Sequence, residues 1–294
     1  FSVTVKTSAG TGAVATPGAA SAAYCDGTNV FALGSEPFYE VTAGELAAAV
    51  TIVRSKYEPG DVRRYCTAAE TNHQIAFAAA HASSAAIYAP ASAANTPGGF
   101  WNVDYFEMNI EGRRLKTDGL LTKIKQRTGN INRRIIEVRA SNVTVDDVWV
   151  EGNIATDTGE QQHGVLVQPT SGTIRNIKVG NVYGKDLRRD VVLVGALTPN
   201  YVRQVVVGNV FGENIYRNVV SVTGGAQVTI GDVDGTTAGL FTLDIETNNV
   251  TVQGVSVGKV RGRTVGVIGT TTAAFVDQVS IDSMDLDPAF MPDS

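Results

Sequence analysis

The chain has 294 residues, a net charge of −5 and 18% charged residues of both signs. That balance excludes a general nucleic-acid binder, which needs a basic face, and no run of about 18 apolar residues marks a transmembrane helix. Two cysteines, Cys25 and Cys66, are too few for a disulfide framework. They read as two buried free thiols, with a single bridge between them as the other arrangement.

No charged segment precedes an apolar stretch, so no secretory signal is read. The chain opens in mid-strand at Phe1-Ser2-Val3-Thr4-Val5 and reads as a fragment whose front part served another purpose, such as attachment. Residues 1–41 alternate and turn like short strands: Ser2-Val3-Thr4-Val5-Lys6, then Ala22-Ala23-Tyr24-Cys25, a turn at Asp26-Gly27, and Val30-Phe31-Ala32-Leu33. Such a β module is too small to stand alone. Residues 42–84 form a connector and a cap. Thr42 with Glu45 three residues on has the form of a capping box for a short helix, although the segment is read chiefly as a connector. Ala69 to Ser83 is an alanine-rich run of high helix propensity. It is expected to hold a helix within 68–83 that covers the open first coil of a repeating C-terminal region.

Residues 85–294 repeat. The frame Val145-x-x-Val148-x-Val150 returns as Ile174-x-x-Ile177-x-Val179 and Val202-x-x-Val205-x-Val207. It returns again as Val228-x-Ile230, Val252-x-x-Val255-x-Val257 and Val276-x-x-Val279-x-Ile281. After the frame comes Gly180-Asn181-Val182-x-Gly184, matched at Gly208-Asn209, Gly231-Asp232 and Gly258-Lys259. A period of roughly 20–30 residues marks a solenoid. β-branched residues two apart suit a strand buried on one face, and no coil shows helical spacing. The fold expected is all-β: a right-handed parallel β-helix from about 85 to 286. Leucine-rich repeats are the runner-up, but their Leu and Asn frame is missing. The Gly-Asn corner is expected to supply a left-handed residue, and the polar residue between two inward valines a sharp bend.

The order Gly60-Asp61-Val62-Arg63-Arg64-Tyr65, short helix, apolar strand Ala86-Ile87-Tyr88-Ala89-Pro90, glycine-rich turn Gly98-Gly99, then coils, resembles the pectate-lyase-like β-helix of bacteriophage tail spikes. The stretches Val3-Thr4-Val5-Lys6-Thr7-Ser8-Ala9-Gly10 and Tyr24-Cys25-Asp26-Gly27-Thr28-Asn29-Val30 resemble segments of phage tail-fibre proteins. The chain departs from the family at Cys66-Thr67, where Gly-Ala is usual, and at Glu70, where an acidic lead is longer. The resemblance implies a homotrimer on the phage tail, in contact with other virion tail proteins and with bacterial surface polysaccharide, capsule or lipopolysaccharide. Many relatives also cleave that polysaccharide, as hydrolases or lyases.

Equivalent positions of successive coils stack in a β-helix. Aligning the segments after Gly184 and Gly212 sets Arg189 beside Arg217 and Asp190 beside Asn218, with His163 next to Asp190. Asp157 and Glu160 lie on the longest excursion between coils, and Asp186 is close in sequence to the ladder. The catalytic candidates are therefore Asp157, Glu160, Asp186 and Asp190. Two carboxylates of a glycosidase stand about 5–5.5 Å apart for retention and about 6.5–9.5 Å for inversion. Substrate-binding candidates are His163, Tyr183, Arg189, Tyr216 and Arg217: rings for sugar faces, arginines for an acidic sugar. The plain alternative is that Asp, Asn and His at coil corners hydrogen-bond turn backbone. His73 and His81 in the cap run read as exposed or packing residues. No zinc spacing, phosphate loop or nucleophile elbow is present, and no cofactor is expected. Trp149 points opposite to Val148 and Val150. Val192, Val206 and Val220 are read as an outward apolar row for subunit contact. Two functions are compatible with these residues: a tail spike that binds, and in one form degrades, bacterial polysaccharide, or a non-enzymatic structural virion tail protein.

Overall fold

The computed structural model describes residues 39–127, 133–156, 161–235, 237–248, 250–269 and 274–287, with the strands Val3–Val5, Ala13–Ala15, Ala22–Cys25 and Val30–Leu33. Those four strands make two antiparallel pairs, first with second and third with fourth. Neither pair joins the sheets of the repeat region.

From Ala86 onward the chain is a parallel β-helix with three faces. Face A begins with Ala86–Ala89, Arg114–Thr117, Thr144–Val145, Thr173–Val179, Tyr201–Val207 and Gly225–Ile230. Face B begins with Trp101–Val103, Lys123–Gln126, Val148–Glu151, Val182–Lys185, Val210–Glu213 and Val233–Gly235. The long strands Val252–Gly262 and Val276–Leu286 run across both faces and join them into one 14-stranded sheet. Face C is a seven-stranded parallel sheet from Phe106–Met108 to Val265–Ile268. The inward frame residues Val145, Val148, Val150, Val202, Val205, Val228, Val252 and Val257 are all fully buried, stacked coil upon coil in one core.

A hydrogen-bond ladder sets the corner between faces A and B. Asn181 N–H donates to Asp147 Oδ1 at 2.7 Å, Asn209 N–H to Asn181 Oδ1 at 2.8 Å, and Asp232 N–H to Asn209 Oδ1 at 2.9 Å. Lys259 N–H continues the series to Asp232 Oδ1 at 2.9 Å. Each side chain thus satisfies a turn N–H of the next coil, which would otherwise be unpaired. The preceding glycines leave room for it: a Cβ on Gly208 would lie 2.8 Å from Asn181 Oδ1, and one on Gly258 2.6 Å from Asp232 Oδ1. The expectation that this Gly-Asn corner is left-handed is corrected. None of Gly180, Gly208, Gly231 or Gly258 has positive φ, because close approach, not turn geometry, selects them. The left-handed position lies earlier, inside the face A strands, at the polar residue between inward valines: Asn176, Gln204, Gln227 and Gln278 have φ of 55–57°. For a residue with a Cβ this conformation costs roughly 1 kcal/mol or more.

The first coil is capped by α1 (Ala43–Ala47) and α2 (Gln74–Ser83). The capping box on Thr42 and Glu45 forms as its spacing suggests, so the short helix is present within the connector. Phe77 of α2 packs edge-on against Trp101 and Phe106, with centroids 6.1 and 5.1 Å away. His73 and His81 are buried packing residues against the same two rings, 4.9 and 5.7 Å away. The Arg-Tyr motif is the hub of the cap. Arg64 is completely buried and pairs with Glu45 at 2.6 Å, while its other N–H groups donate to the carbonyls of Tyr39, Glu40, Ser55 and Tyr57. Buried ions are tolerated on such terms, with the charge paired and every donor used. Cys66 is a buried free thiol. Among the described residues no helix is long and apolar enough to cross a membrane.

The outward apolar row is also corrected. Val192 and Val220 are fully buried partners on face C, and only Val206, on face A, is exposed, at 48%. Alternation does not carry across a corner, where it restarts.

Candidate functional site

The sequence-predicted residues fall into two groups. Asp157 and Glu160 lie outside the described residues. Asp186 and Tyr183 stand on the outside of face B, and Tyr216 is exposed, while His163 and Asp190 are buried at the turn into face C with Arg217 alongside. Arg189 is half-buried in that turn, its N–H donating to the Gln162 carbonyl at 3.1 Å.

The buried group has the expected stacking. His163 Nδ1 lies 3.3 Å from Asp190 Oδ2, and Asn218 N–H donates to Asp190 Oδ1 at 3.3 Å. The ladder continues one coil further than the sequence suggested: Asn218 Nδ2 donates to Asp244 Oδ2 and to Ser221 Oγ, both at 3.0 Å. Arg217 spans the row, 4.0 Å from Asp190, 3.8 Å from Asp244 and 3.5 Å from Glu246. Burial pushes the Asp190 carboxyl up, but His163, Arg217 and Ser221 outweigh it and the net displacement is downward. Asp244 goes the other way, to about 7: burial raises it, Glu246 adds to that, and Arg217 compensates only in part. Two acids with displacements of opposite sign have the form of an acid–base pair. Their exposures of 1% and 2% withhold them from a polymer substrate. Asp244 was missed because it stands between Leu243 and Ile245 in an ordinary strand pattern.

The outer group is built by register. Pairing aligns Lys123, Trp149, Tyr183 and Phe211 in one outward row of face B, beside a row of Lys125, Glu151, Lys185 and Glu213. Trp149 and Tyr183 stack with centroids 4.2 Å apart, and the Lys123 ammonium lies 4.2 Å from the Trp149 ring centre. The charged row pairs internally, Lys125 with Glu151 and Lys185 with Glu213, each at 2.6 Å. Burial and then the hydrogen bond to Glu213 push the Tyr183 phenol up to about 12. Lys185, followed by Tyr183, holds the Glu213 carboxyl below its usual range.

Alongside the charged row lies a groove of about 320 Å³ lined by Lys125, Gly152, Asn153, Thr156, Asp186 and Asn214. Asp186 and Asn214 both take left-handed backbone, φ 51° and 54°, and the Asn214 amide donates to Asp186 Oδ1 at 2.5 Å. Gly152 lets the excursion leave close to the wall, since a Cβ there would lie 2.6 Å from the Asp186 carbonyl. Beyond the groove's rim, exposed Tyr216 carries the Arg188 guanidinium 3.7 Å above its ring. The groove offers amides, a hydroxyl and a carboxylate, and the face B wall beside it offers aromatic rings and paired charges, a combination that suits polyhydroxylated ligands. Among the described residues no cluster of three or more His, Cys, Asp or Glu is placed to hold a metal ion. Compared with known proteins, the chain matches no family model, no curated protein and no solved structure.

Proposed function

We propose that the chain is a phage tail-spike or tail-fibre component that attaches to bacterial surface polysaccharide through face B. The observation that carries the reading is the aromatic row Trp149, Tyr183 and Phe211 on face B, which runs parallel to the Asp186–Asn214 groove across the charged row. The tail assignment itself rests on the sequence resemblance, and the β-helix is what that resemblance implied. Of the two forms of the reading, binding alone is favoured over binding with cleavage. Asp190 and Asp244, the two acids displaced in opposite directions, are both buried beside Arg217. Cleavage would have to be done by Asp186 in the groove together with Asp157 or Glu160.

Trp149→Ala tests this. Loss of a stacking ring is expected to weaken retention on the host's capsule or lipopolysaccharide by roughly tenfold, with the melting temperature held. Retention equal to the parent's on every host polysaccharide that the parent binds would refute the face B site. The homotrimer and its contacts with other tail proteins belong to the same proposal. Light scattering is expected to give a trimer mass at micromolar concentration, and a monomer mass would count against it.

A further inference from the structure

Face A carries a second feature that the face B groove does not use. The left-handed residues form a ladder through the β-helix: Gly112, Asn142, Asn176, Gln204, Gln227, Gly254 and Gln278, stacked in register. Two coils fill the position with glycine, which takes this conformation without strain. Five coils place an amide there instead. Asn eases the strain by bonding locally with its short side chain, but Gln does not share that advantage. A strained conformation kept where glycine would serve points to a use for the side chain.

The use is not internal for the middle of the ladder. Asn176 Nδ2 donates to Asn142 Oδ1 at 2.9 Å. The Gln204 and Gln227 amides make no hydrogen bond among the described residues and are exposed. With Asn176, Lys178 and Val206 they line an open trough of about 480 Å³. Arg175 and Arg203 stand in the adjacent row, paired in register and exposed. No acidic residue lines the trough.

We propose that this strip is a second binding site, for an extended acidic polysaccharide lying along the β-helix axis. Amides roughly 4.8 Å apart each present a donor and an acceptor to neighbouring hydroxyls. Arg175, Lys178 and Arg203 supply partners for its carboxylates. An acidic peptide fits less well. Strand addition needs a free sheet edge, and Thr173–Val179, Tyr201–Val207 and Gly225–Ile230 are each paired on both sides. Single-stranded nucleic acid needs free rings for stacking, and the ring beside this strip, Tyr201, already carries Arg203 at 5.2 Å. The proposal goes beyond the face B reading and does not depend on it.

The test is affinity electrophoresis of the whole chain in gels containing polygalacturonate, neutral dextran or poly-glutamate. The parent and the double variant Gln204→Gly/Gln227→Gly are compared. Expected are retardation of the parent by polygalacturonate alone and a loss of at least about fivefold in the double variant. The double variant should melt no lower than the parent, since glycine already serves at Gly112 and Gly254. Three results would overturn the proposal: a parent indifferent to polygalacturonate, equal retardation by poly-glutamate, or a double variant that keeps its retention. A double variant with a lowered melting temperature assigns the amides to the fold and also counts against it.

Discussion

Asp244 is a carboxyl whose ionisation the fold opposes. It is 2% exposed, its Oδ1 has no hydrogen-bond partner, and its pKa stands near 7 against an ordinary 3.8. A raised acid favours the folded state while neutral, so its contribution is complete below about pH 4 and is lost as pH rises through 7. At 1.36 kcal/mol per pH unit the loss is on the order of a few kcal/mol. Asp244→Asn should therefore raise the melting temperature at pH 8 and change it much less at pH 5; an equal effect at both would show that the carboxyl does not titrate as described. His81 acts on the opposite side. Burial, then Arg113, depress its pKa to about 4, so its neutral form is lost only at a cost as pH falls below about 6.5. How much was legible at this scale is clear from neighbours. The contact of His163 with Asp190 followed from coil alignment alone. Its burial did not, because a polar side chain at a corner reads as exposed, and nothing local in Leu243-Asp244-Ile245 shows that a coil corner covers it.

At the scale of elements, the corner ladder is the device that fixes coil against coil. Gly208→Ala would drive a Cβ to 2.8 Å from both Asn181 Oδ1 and the Gly180 carbonyl carbon. Backbone cannot yield cheaply there, and a cost of about 1–3 kcal/mol is expected, read by thermal or urea unfolding. Gly98→Ala is the contrast for space alone, since a Cβ there meets nothing, though its φ of 76° keeps some strain. A Gly208→Ala protein as stable as the parent would mean that the ladder does not hold the coils. The frame of inward valines was readable because period-two burial has few imitators. The role of the glycine was not, because glycine signals both a left-handed turn and a close approach, and only stacked coordinates separate them. The polar residue between inward valines signalled a bend, but not that its backbone is left-handed, since a left-handed Gln looks like any outward polar residue.

The whole molecule is asymmetric along its axis. Its first coil lies under α2, whereas the last described strand, Val276–Leu286, has its inward Met284 59% exposed, against full burial of Val260 one coil earlier. The proposed binding lies on the sides of the helix, where face B carries rings and a groove, while Asp190 and Asp244 are closed off. The measurement that tests this most directly is incubation of the whole chain with capsule and lipopolysaccharide from a panel of bacteria, reading retained polysaccharide, new reducing ends and unsaturated uronate absorbance together. The account predicts retention of polysaccharide from at least one host with no new ends, and loss of that retention in Trp149→Ala. Cleavage abolished by Asp190→Asn in a folded protein, or no retention across the panel, would contradict it.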